Sequence, residues 1–140
     1  MSDTGFAPFT ATVDKTNRML HEIEEAFGWP RERRNQSYAA LRGVLHALRD
    51  RLTVQEAAHL GAQLPMLVRG IYYEGWRPAE VPIKMHHDEF VDRVRHDFVY
   101  DADVDEVVRT VSNVLRAHIT EGEWEDVKAS MPKDLAGVLP

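Results

Sequence analysis

The chain carries the same pattern twice. Residues Arg42–Ile71 (RGVLHALRDRLTVQEAAHLGAQLPMLVRGI) lie over Arg109–Val138 (RTVSNVLRAHITEGEWEDVKASMPKDLAGV) at a constant offset of 67. Leu48 falls on Leu115, Arg49 on Arg116, Leu52 on Ile119, Thr53 on Thr120 and Glu56 on Glu123. Leu60 falls on Val127, Leu64-Pro65 on Met131-Pro132, and Ile71 on Val138. Upstream, at an offset of 71, Leu20, Ile23 and Phe27 fall on Val91, Val94 and Phe98, so four additional residues sit around Gly28–Arg34. A repeated unit of this size cannot cover its own apolar face, and a neighbouring unit must do so.

Each unit reads as three helices and a short helical tail. Leu20, Ile23 and Phe27 recur at spacings of three and four, the signature of one helix face, and Phe90, Val91, Val94 and Phe98 repeat it. The second stripe is Tyr38, Leu41, Leu45, Leu48 and Leu52, answered by Val104, Val108, Val111, Leu115 and Ile119. Pro30 before the first of these, and Asp103 with Glu106 at the second, are start signals. Thr53 with Glu56 and Thr120 with Glu123 form capping boxes that open the third helices. Pro65 and Pro132 disfavour helical geometry at Leu64 and Met131 and so end them; short turns follow over Met66–Tyr73 and Lys133–Leu139. No segment alternates with period two, so no sheet is expected.

The expected fold is therefore all-α: a helical bundle of two tandem three-helix pseudo-repeats joined by an aromatic, Pro/Gly-containing connector. Residues 1–11 read as a loose tail. Residues 12–140 read as one helical domain, with pseudo-repeat one over 12–74, the connector over 75–85 and pseudo-repeat two over 86–140. A chain of 140 residues with 44% hydrophobic content and net charge −6 has enough core to fold and is not a disordered one. With no cysteine there is no disulfide, no thiolate nucleophile and no cysteine-based zinc site. No apolar run approaches the ~20 residues of a membrane span and no secretory signal opens the chain, so a cytoplasmic location is expected.

The segment LGAQLPMLVRGIYYEGWRP, followed by EFVDRVRHDF and then GEWEDVKASMP, resembles a bacterial helical family known as domain of unknown function 2267. The resemblance covers about residues 15–140. The second copy departs from the first, with Ser130-Met131-Pro132 in place of Gln63-Leu64-Pro65 and no aromatic run after it. The resemblance implies a small helical bundle without an established activity.

Chemistry is sparse. Glu56-x-x-His59 matches one arm of a carboxylate-bridged di-metal site, but such bundles need two arms and further glutamates, and Glu56 is already explained as a cap. His86 and His87 are adjacent and diverge by about 100° on a helix, so they do not grip one ion together. His21, His46, His96 and His118 stand singly among charged neighbours and read as surface or boundary residues. There is no Gly-x-Ser-x-Gly elbow and no glycine-rich phosphate loop. No catalytic residue, metal site or cofactor is assigned.

Charge and aromatics are more informative. Residues 31–51 carry a local +4, whereas residues 101–140 carry a local −5. Arg31, Arg33 and Arg34 oppose the dipole of the helix that they precede, and read as a solvated face, as an anion or nucleic-acid patch, or as a patch for pairing with the acidic second copy, within the chain or across a homo-oligomer such as a homodimer. Nucleic acid is not favoured in so acidic a chain. Tyr72, Tyr73, Trp76 and Arg77 have the composition of an interface hot spot, and with His86 and His87 they form the candidate binding residues. A strap that plugs the seam between the units explains the same aromatics. The chain reads as a non-enzymatic protein-interaction or regulatory module, with a homodimer or a protein partner. The alternative is a small-molecule or metal-binding protein with its site near Tyr72–Trp76 and His86/His87, and an enzyme ranks third.

Overall fold

The structure, a computed structural model, describes residues 5–140. These residues form seven α-helices: α1 (Ala7–Phe27), α2 (Arg34–Arg51), α3 (Val54–Gln63), α4 (Met66–Tyr73), α5 (His87–Asp97), α6 (Val104–His118) and α7 (Glu121–Ala129). Short 3₁₀ turns lie at Arg31–Arg33, Pro78–Glu80 and Lys133–Leu135, and no strand occurs among the described residues. None of these helices is long and apolar enough to cross a membrane.

The axis of the fold is α2, which touches α1, α4, α5 and α6. A single apolar stripe was expected there, yet α2 is buried nearly all round. Leu41, Val44, Leu45 and Leu48 fill the core, while Ala39, Ala40, Gly43 and Ala47 let neighbouring backbones approach. The closest approach is to α5, where a Cβ on Gly43 would stand 2.9 Å from the Val94 carbonyl oxygen. Tyr38, placed in the stripe by its spacing, is instead 38% exposed at the open end of the helix. In α6 the apolar residues Val104, Val107, Val108, Val111, Val114 and Leu115 share one face, packed on α1, α2 and α5.

The helix ends follow local chemistry. Gly28 closes α1 in the left-handed conformation (φ +70°), and the next N–H, from Trp29, bonds to Glu24 O at 2.9 Å. The additional residues around Gly28–Arg34 put Trp29 flat against Phe27, with ring centroids 4.3 Å apart, and facing Phe98. Thr53 makes the full capping box with Glu56 at the start of α3. Thr120 makes half of one: its hydroxyl accepts from Glu123 N, but its own N–H donates to Gln63 Oε1 at 2.8 Å.

One boundary needs correction. Residues 7–11, expected within a loose tail, are the opening turn of α1, because Pro8 suits the first turn of a helix and Phe6 and Phe9 pack edge to face at 5.1 Å. Residues 1–4 of that expected tail lie outside the described residues.

Candidate functional site

The aromatic residues singled out in the sequence sit in and after α4, and they face inward. Tyr72 is fully buried and its hydroxyl donates to Ala57 O at 2.8 Å; burial pushes this phenol well above its ordinary range. Tyr73 lies over Gly61, which has no side chain to obstruct it, and Trp76 tilts against Tyr73 at 5.2 Å. The Trp76 Nε1 is buried without an acceptor among the described residues. Arg77 points outward to Glu80 at 3.2 Å.

Beneath this segment lies a buried ionic network that sequence reading missed. Arg49, 3% exposed, donates to Tyr72 O at 2.7 Å and Glu74 O at 2.6 Å, fixing the chain where it leaves α4. Its Nε also donates to Asp50 at 3.1 Å, and Asp50 accepts from Arg93 at 2.8 Å. Arg93 and Arg42 both reach Asp97, and Arg42 also pairs with Glu74. Asp50 further holds the segment after Trp76, its backbone oxygen accepting from Ile83 N at 2.7 Å.

His46 belongs to this network and corrects the expectation of a surface residue, being 2% exposed. Its Nε2 lies 2.8 Å from Ile71 O, and since a carbonyl only accepts, Nε2 carries the proton. Its Nδ1 lies 3.3 Å from Asp97. Burial, reinforced by Arg49, keeps the ring below its ordinary range. Burial opposes the charge on Asp97, but the positive groups around it outweigh that and hold the carboxyl low.

The arginine patch is only partly a patch. Arg34 grips the buried Glu24 through two bonds, at 3.0 and 2.9 Å, and Ser37 adds a third at 2.6 Å; Arg34 first, then Ser37, keep Glu24 ionised against burial. Arg34 therefore ties α2 to α1 of its own unit, and it is not free for the acidic second copy. Arg31 and Arg33 are exposed and form no ion pair among the described residues.

His86 and His87 behave differently from each other. His86 precedes α5, is exposed, and its backbone N–H donates to Glu89 at 3.0 Å. The His87 ring is held between Asp88 (2.9 Å) and Asp105 (2.8 Å), which raise its pKa, and its backbone N–H donates to Asp134 at 3.0 Å. No group of three or more His, Cys, Asp or Glu among the described residues could hold a metal ion.

A sizeable opening lies elsewhere, beside the contact between α3 and α7. Helices α3 and α7 run antiparallel and are joined at both ends. At one end Gln63 takes the Thr120 N–H, and at the other the Ser130 hydroxyl donates to Glu56 Oε2 at 2.8 Å. Glu56 thus accepts from Thr53 N and from Ser130 together, and these bonds keep its carboxyl low. Beside this clasp is a cleft of about 620 Å³, lined by Arg51, Lys84, Met85, His86, Met131, Lys133 and their neighbours. On the other side of Glu56 a smaller hollow of about 270 Å³ is acidic, with His59, Glu123 and Asp126; burial and Asp126 raise the Glu123 carboxyl.

Arg51, Lys84 and Lys133 have no carboxylate at ion-pair distance among the described residues, and the Arg51 Nε is buried without an acceptor. Of the candidate binding residues only His86 lines this cleft; with His87 it also lines a shallower hollow of about 540 Å³. Tyr72, Tyr73 and Trp76 line neither. The sequence offered no signal for the cleft, because its walls come from the end of α2, the segment before α5 and the end of α7.

A family model described as Uncharacterized conserved protein (DUF2267) matches residues 16–138, in agreement with the resemblance read from the sequence. No curated protein matches the chain.

Proposed function

The chain belongs to the DUF2267 family, and from that premise, which brings no assigned chemistry, we propose that it is a non-enzymatic interaction or regulatory module acting through the cleft beside the α3–α7 clasp. One observation carries this reading. Four of the side chains fit for acid–base work are taken up by structural partners, whereas the cations of the cleft are left over. His46 is held by Ile71 O, His87 by Asp88 and Asp105, Glu24 by Arg34, and Tyr72 by Ala57 O. A volume of about 620 Å³ suits a small ligand. The reading moves the notional site from the aromatic segment to the His86 side, and it treats the two halves as tandem copies in a cytoplasmic protein.

Ala129 tests it. This exposed residue lines the cleft, so Ala129→Trp fills the opening without disturbing the core. A saturation-transfer NMR screen of small molecules should give ligands that bind the wild type and not Ala129→Trp. Ligands indifferent to the substitution, or ligands recovered chemically altered, overturn the proposal.

A homodimer is favoured by a separate observation: the exposed, unpaired Arg31 and Arg33 complement the exposed acids Glu121, Glu125 and Asp126 of α7. Such a pairing weakens as salt screens it. Analytical ultracentrifugation should show a dimer at low ionic strength and a monomer at high. A salt-independent monomer ends this reading.

A further inference from the structure

Resting on the cleft reading above, we infer that the ligand is a small organic anion, a carboxylate or phosphate carried on an apolar body. The chain is acidic overall, with 23 acids against 17 bases, so unneutralised cations gathered at one opening call for an explanation. Most of its arginines are committed: Arg34, Arg42, Arg49, Arg77, Arg93, Arg109 and Arg116 to carboxylates, and Arg69 and Arg95 to backbone carbonyls. Arg51, Lys84 and Lys133 reach a common cleft from three separate segments and form no close ion pair there.

Two carboxylates share these walls, Glu56 and Asp134, and Arg51 acts electrostatically on Glu56, so the three cations outnumber the acids by one. Each carboxylate oxygen of Glu56 already accepts one bond, from Thr53 N and from Ser130, and Asp134 accepts from the His87 backbone. The net positive charge of the three cations suits a negative headgroup, and the His86 ring on the rim offers a further hydrogen-bonding group. Buried Met85, Met131 and Pro132 supply an apolar wall for the rest of the molecule. The acidic hollow beyond Glu56, with Glu123 and Asp126, repels an anion and so confines the headgroup to the basic side of the clasp.

The experiment is an ¹⁵N-NMR titration of the full chain with four probes: phenyl phosphate, 3-phenylpropionate, benzyl alcohol and inorganic phosphate. The amides of Met85, His86, Ser130 and Lys133 should shift with phenyl phosphate or with 3-phenylpropionate. Whichever binds more tightly identifies the headgroup as phosphate or carboxylate. Benzyl alcohol, which has the ring without the charge, and inorganic phosphate, which has the charge without the body, should each bind about tenfold more weakly.

Lys84 and Lys133 are exposed, so Lys84→Gln with Lys133→Gln leaves the fold intact, as circular dichroism would verify. That double variant should weaken the anionic probe about tenfold, whereas Arg31→Gln should not. If benzyl alcohol binds as tightly as the anions, or if the double variant binds unchanged, the anion inference fails while the cleft reading stands. If no probe shifts the cleft amides, the inference fails; if the screen also yields no ligand whose binding Ala129→Trp abolishes, the reading beneath it fails too.

Discussion

Helices α2 and α6 occupy matching places in the two aligned segments, and the same residue does different work in each. Arg49 lies buried, holding the backbone oxygens of Tyr72 and Glu74, while its counterpart Arg116 is 38% exposed and pairs with Glu121 at the surface. Arg42 bridges to α5, whereas Arg109 pairs with Glu106 one turn away. His46 and Asp50 of the buried network face Asn113 and Ala117 in the alignment. The difference is one of position. Helix α2 has neighbours on every side, so polar groups on it must find partners inside the protein; α6 has an open flank, where water serves instead. A shared pattern therefore specifies a helix without specifying how deeply it will be buried.

Substitutions at matched sites should reproduce this contrast. The largest effect is expected from Arg49→Ala, which leaves the Tyr72 and Glu74 carbonyls without their donor and Asp50 with Arg93 alone, and should cost about 3–5 kcal/mol by urea unfolding, against less than about 1 kcal/mol for Arg116→Ala. Equal losses at the two sites would break the comparison. Next is Gly43→Ala, whose new Cβ meets the Val94 backbone and should cost about 1–3 kcal/mol; truncating Thr110, its counterpart, to Ala should be nearly neutral.

Thr53→Ala and Thr120→Ala should each cost about 1 kcal/mol. The finer measurement is Glu56→Ala against Glu123→Ala. Glu56 accepts the bond that caps α3 and the bond that joins α3 to α7, while Glu123 carries a charge opposed by burial, so the first substitution should destabilise and the second should not.

The smallest effect concerns pH at the start of α5. The folded-state pKa of His87 is raised by Asp88 and Asp105. Its stabilising contribution is thus fully present below the ordinary histidine value and lost as pH rises through the raised one. The gap in stability between wild type and His87→Gln, a few tenths of a kcal/mol for so accessible a group, should shrink between pH 6 and pH 9. A gap that widens over that range refutes the assigned pairing.

Local signals in the sequence foretold local structure. The span Met66–Tyr73, the stop at Pro65 and the Thr53 box are all present as read, since each depends on residues within one or two turns. Signals failed where the answer lay in another element. His46 has charged neighbours in sequence, yet they turn inward with it because α5 carries Arg93 and Asp97 to meet them. Arg34 gave no hint of Glu24, ten residues earlier and across a turn. The aromatic residues drew attention as a binding surface, and most of their area goes into packing on α3 and on Arg49. The cleft had no linear trace, because Arg51, Lys84 and Lys133 meet only once the chain has folded.

The double fastening of α3 to α7 has a mechanical consequence. Were they tied at one end, a single weak bond could act as a pivot and the gap beside them could swing wide by degrees. With Gln63 holding Thr120 and Ser130 holding Glu56 at opposite ends, neither helix has a free tip to swing. Opening there requires both ties to let go, so the space between α3 and α7 does not widen by the loss of either one alone.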